Sequence, residues 1–127
     1  FSPYPDVTTT RGSNDPAFLA GMEAYNAGEF AESLPHFKQF LIASPKDQDG
    51  LFYGGIAEAA AGSLPIAVER LELLRSQKGI FQVAATWYQA LAHLKAGSQA
   101  RARSLLAQLG ETPNSFQARA KELLGKF

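Results

Sequence analysis

Apolar residues in this chain recur three and four positions apart and hardly ever alternate with polar ones, the spacing of amphipathic helices and not of strands. The pattern begins at Asp15-Pro16, an acidic capping residue followed by proline at the first helical position. It is interrupted at Ala27-Gly28, from Ser44-Pro45 through Gly50, at Ala61-Gly62, around Lys78-Gly79, at Ala96-Gly97 and from Gly110 to Asn114. The stretches between these breaks are rich in Ala, Leu, Glu, Gln and Arg, all good helix formers. The pattern predicts helices near 16–26, 30–43, 50–61, 65–77, 81–95, 99–109 and 115–126, an all-α domain over residues 15–127 with short connections. Pro65 falls in a first turn, where no hydrogen bond is lost, whereas Pro35 lies about one turn inside its helix and predicts a late start or a slight bend. Residues 1–14, with two prolines, three threonines and no helical period, read as an extended linker or arm. Segment 1–13, carrying Phe1 and Tyr4, is a candidate to lie in a groove of this chain or of a neighbouring one.

The breaks repeat. Ala27-Gly28, Ala61-Gly62 and Ala96-Gly97 are one dipeptide three times over, 34 and then 35 residues apart. Around the three glycines six columns keep their chemical character. Ten residues before stand Phe18, Phe52 and Trp87, and seven before stand the small Gly21, Gly55 and Ala90. Five residues after are Ser33, Ala67 and Ala102; nine after, Phe37, Leu71 and Leu106; twelve after, Phe40, Leu74 and Leu109. Small residues on paired antiparallel helices let their axes approach closely. The glycine between them supplies the positive φ that ends the first helix. A pair this short cannot bury its own faces, so about three must stack to be stable.

This pattern resembles the tetratricopeptide repeat, whose units are helix–turn–helix hairpins of about 34 residues. The resemblance spans roughly residues 14–110, with units near 14–47, 48–82 and 83–114. It is carried by Gly21, Tyr25, Gly28, Phe37 and Pro45 in the first unit. Gly55, Gly62, Ala67 and Leu71 carry the second, and Ala90, Gly97, Ala102 and Leu106 the third. The chain departs from the family where Gly79 and Gly110 replace a terminal proline, where Ser33 replaces alanine, and in the large Phe40, Leu74 and Leu109. The resemblance implies a right-handed α–α superhelix of three pairs. Residues 115–127 then form a capping helix, with Phe116, Ala120, Leu123, Leu124 and Phe127 on one apolar stripe.

Composition narrows the function. Apolar residues make up 46% of the 127 and charged residues 19%, enough to build a core. No apolar run approaches the roughly 20 residues needed to span a bilayer. Twelve bases balance twelve acids, which argues against a dedicated nucleic-acid binder. The balance is uneven along the chain: residues 1–63 hold three bases and eight acids, a net −5, leaving +5 in residues 64–127. This is either an ordinary solvated surface or a dipole favouring head-to-tail contact between copies. Without cysteine the chain has no disulfide, thiol nucleophile or cysteine-based zinc site.

No catalytic or phosphate-binding motif is present, and His36 and His93 lie in different units without metal-ligand spacing. No enzyme activity, metal or cofactor is therefore expected. The stronger candidate site comes from the resemblance: first helices of such units line a concave groove that binds peptides or helices of partners. Here its positions are Phe18, Met22, Tyr25, Phe52, Ile56, Trp87 and Leu91, with Tyr53 and Tyr88 at its edge. The same stripe is equally readable as core. Aromatic residues stand where relatives that grip chaperone carboxylates carry lysine and asparagine, so that role is not expected. The expected function is a non-enzymatic protein–protein interaction module, or alternatively a self-association or scaffolding domain that oligomerises its host protein, with an enzyme as the remote alternative. The leader and three units also resemble the periplasmic part of membrane-anchored bacterial proteins, which implies a periplasmic location behind a spanning helix preceding Phe1; a cytoplasmic location is the alternative.

Overall fold

Two helix starts in this chain, those of the first and third helices, are set by aspartate. In the computed structural model, which describes residues 15–77 and 79–127, the Asp15 carboxylate accepts from the backbone N–H of Ala17 at 2.8 Å and of Phe18 at 3.3 Å. This caps α1 (Pro16–Asn26). Asp47 does the same for Gly50 N–H at 2.9 Å, so α3 begins at Gln48, two residues earlier than the breaks alone suggest. The remaining helices are α2 (Phe30–Ala43), α4 (Leu64–Ser76), α5 (Gln82–Lys95), α6 (Gln99–Glu111) and α7 (Gln117–Leu124). Among the described residues there is no strand, and none of the helices is long and apolar enough to cross a membrane. The arm expected over 1–14 lies outside the described residues.

Pro35 does not delay its helix. α2 runs from Phe30 with Pro35 inside it. Both Pro35 and Ala31, whose carbonyl loses its i+4 donor, are exposed, so water replaces the missing bond.

Three hairpins carry one turn. Gly28, Gly62 and Gly97 have φ of 77°, 94° and 84°. After each, the next residue's N–H donates back across the turn: Glu29 to Ala24 O at 2.9 Å, Ser63 to Glu58 O and Ser98 to His93 O at 2.8 Å. Each glycine N–H meanwhile donates to the carbonyl three residues before it. The paired bonds form a Schellman motif, which satisfies carbonyls that would otherwise end the helix unpaired.

The repeat columns pack on one another. A β-carbon at Gly21 would sit 2.8 Å from the Phe37 ring, and one at Gly55 would sit 3.0 Å from Leu71, so the small first-helix column is the seat for the large second-helix column. Ser33, Ala67 and Ala102 are fully buried at the same crossings, as are Ala90 and Leu106 in the third. Helices α1 to α7 pack chiefly on their neighbours in the chain, and α3 also touches α1 and α5. Lys95, at the end of α5, donates to Ala59 O at 3.0 Å and Ala60 O at 3.4 Å, tying its ammonium to the C-terminal carbonyls of α3. At the far end α7 packs on α6 and buries Ala120, while Phe127 is 41% exposed beneath the Arg103 guanidinium.

Candidate functional site

The first-helix face is closed. Phe18, Phe52 and Ile56 have no exposed surface, Met22, Tyr25 and Trp87 are buried, and Leu91 is half-buried against the same core. Each aromatic of the expected groove is covered by another ring. Phe40 of α2 lies 5.1 Å from Phe18, Phe81 stacks on Phe52 at 4.3 Å, and Phe116 stacks on Trp87 at 5.5 Å. Tyr53 and Tyr88 are buried as well, Tyr53 edge-on to Tyr25 at 5.1 Å. Among the described residues these side chains form the interior and leave no open groove, because the covering rings come from a second helix and two connecting loops.

The open surface lies on the other side, where the second helices α4 and α6 flank α5. Both pack on α5, and the gap between them is a cleft of about 730 Å³, a size that accommodates a ligand or several peptide residues. Its walls include Val68, Glu69, Leu73 and Arg75 of α4 with Arg101 and Leu105 of α6. Its floor is Gln89 and His93 of α5. A smaller cleft of about 240 Å³ shares Arg75 and continues over Gln82 and Thr86 towards Asn114. The four floor residues Gln82, Thr86, Gln89 and His93 stand at i, i+4, i+7 and i+11, one face of α5. At about 1.5 Å per residue this polar stripe is about 16 Å long.

Its centre is held by a closed set of bonds. Gln89, 2% exposed, accepts from Arg75 Nη1 at 2.7 Å and donates to Glu72 Oε1 at 3.2 Å and Val68 O at 3.4 Å. Arg75 Nη1 also reaches Glu72 Oε1 at 3.1 Å, completing the triangle. Thr86 bonds inward to Gln82 O at 2.9 Å. His93 is 7% exposed, and its ring has no hydrogen-bond partner among the described residues. Burial first, then the Arg101 charge, holds its pKa below the ordinary 6.5, with Glu72 opposing and Arg75 adding to the decrease.

No family model matches this chain, and no curated protein is significantly similar to it. The residues themselves must therefore carry any assignment of function.

At the position of α3 equivalent to His93 stands Glu58, also four residues before its hairpin glycine. Arg70 Nε lies 2.9 Å from Glu58 Oε1, yet that oxygen accepts no well-aligned hydrogen bond. Burial therefore outweighs the guanidinium and pushes the Glu58 pKa up to about 7. Neither Glu58 nor His93 contributes to the other's shift, so the two do not form an acid–base pair. His36 is half-buried on α2, in another unit. Among the described residues no three acidic or histidine side chains gather as a metal site.

The polar stripe is the feature that the aromatic columns obscure. Its signal in the sequence is the i, i+4, i+7, i+11 series itself, on a helix whose opposite positions Ala84, Trp87 and Leu91 are apolar.

Proposed function

We propose that this chain is a tetratricopeptide-like superhelix of three helix pairs capped by α7, acting as a non-enzymatic protein–protein interaction module. The 34- and 35-residue spacing, the threefold Schellman hairpin and the packing of each helix on its chain neighbours support the architecture. The observation that carries the function is the open cleft between α4 and α6 over a polar stripe in which Thr86, Gln89 and His93 are buried. The His93 imidazole at the floor of the open cleft gives direction to a bound backbone or side chain, while Leu73 and Leu105 supply apolar contact. The bound element is a peptide or helix of a partner. The resemblance favours a periplasmic location as part of a membrane-anchored bacterial protein, with the cytoplasm as alternative.

The test is selection from a displayed random-peptide library on the immobilised chain, followed by amide shift mapping. Enriched peptides should move amides of α4, α5 and α6. No enrichment, or shifts confined to α1–α3, refutes the proposal. The charge division of −5 against +5 favours a second reading, head-to-tail self-association, which predicts a mass by light scattering that rises with concentration and falls with salt.

A further inference from the structure

We propose that the end of the cleft formed by His93 and Arg101 is a carboxylate subsite, taking an acidic side chain of the bound peptide flanked by an apolar residue. This rests on the interaction-module reading and adds the chemistry of the occupant. His93 is on the floor, more than nine-tenths buried, and spends neither ring nitrogen on the described residues. A neutral imidazole there has one N–H to donate and one nitrogen to accept. Arg101, on the α6 wall, is exposed and has no carboxylate partner among the described residues. Its fork of N–H donors matches a carboxylate in one plane.

The acidic residues of the cleft do not occupy this place. From α4 the charged groups lining the cleft are Glu69, Glu72 and Arg75; from α6 the charged group is Arg101. Glu72 is committed to Arg75 and Gln89, and Glu69 is exposed on the wall. Arg101 and Arg75 both hold the His93 pKa down, with Glu72 opposing, so cationic side chains flank the ring. An anion seated there receives hydrogen bonds from His93 and Arg101 together. Val68, Leu73 and Leu105 border the same space, which makes an apolar neighbour the fitting companion of the acid.

The experiment uses two pools of capped, leucine-rich octapeptides, identical except for a central Asp in one and Asn in the other, passed over the immobilised full chain. Retention is read by mass spectrometry, and binding is mapped by amide and His93 ring shifts. The Asp pool should be retained about tenfold better, and the His93 pKa should rise in the bound state. Arg101→Gln should abolish the preference. Arg103→Gln, on the same helix but set over Phe127, should keep it. Equal retention of both pools with shifts along α4–α6 overturns the subsite and leaves the cleft reading standing. A preference lost equally in Arg103→Gln overturns it too, as bulk charge. If neither pool moves α4–α6 amides, the cleft reading falls and the subsite with it.

Discussion

Replacing Glu58 by Gln tests whether burial or the Arg70 charge decides the state of this side chain. A carboxyl raised from 4.5 to about 7 binds its proton more tightly in the folded chain than in the unfolded one. The stability linked to that proton is present below pH 4.5 and is lost as the pH rises through about 7. At about 1.4 kcal/mol per pH unit, the full loss has a ceiling of about 3 kcal/mol. The Glu58 side chain keeps 8% of its surface in solvent, and water reaching the carboxylate softens the burial penalty, which lowers the expected value to about 1–2 kcal/mol. Glutamine keeps the shape without the charge. Urea titrations of both proteins between pH 4.5 and 8.5 should give curves that diverge with rising pH, the variant gaining about 1–2 kcal/mol over the wild type by pH 8. Parallel curves would show that Glu58 titrates like an exposed carboxyl. A variant that loses ground as the pH rises would show that the Arg70 attraction exceeds the cost of burial.

Two further substitutions probe the packing. Gly21→Ala places a methyl against three atoms of the buried Phe37 ring, so the clash should exceed the roughly 1 kcal/mol of helix propensity gained, for a net loss of about 1–2 kcal/mol in chemical denaturation. Adding Phe37→Leu should recover part of that loss, and additive losses would refute the contact. Phe52→Ala removes a fully buried ring stacked 4.3 Å from Phe81 and should cost about 3–5 kcal/mol; a cost below about 1 kcal/mol would mark Phe52 as groove and not core.

Helix positions were legible because the chain punctuates them. Asp15-Pro16 and the three Ala-Gly turns mark ends by local chemistry, and the described helices lie within two residues of the expected bounds. The close approach of paired helices was also legible from the small columns. The seating of Phe37 on Gly21 and of Leu71 on Gly55 within one hairpin was not, since a fixed distance from the turn does not say which neighbour a large side chain fills. Nor was the fate of Phe18, Phe52 and Trp87. An apolar stripe records that a surface is covered or sticky, and only the position of Phe40, Phe81 and Phe116 decides between the two. Two of those rings sit in connections, where helical periodicity carries no information about direction. His93, weighed singly, reads as an ordinary surface or packed histidine; its meaning comes from Gln82, Thr86 and Gln89 on the same face.

The neighbour-to-neighbour packing also bears on how the chain acquires its structure. Because the substantial contacts of each helix reach no further than two helices along the chain, the core closes through short loops and little chain entropy is lost before contacts form. Such local wiring gives folding in the microsecond-to-millisecond range. It also lets α1 to α3 close during synthesis, while the residues that build the α4–α6 cleft are still emerging. The acidic half of the molecule would then be in place first, a ready template against which the basic half docks.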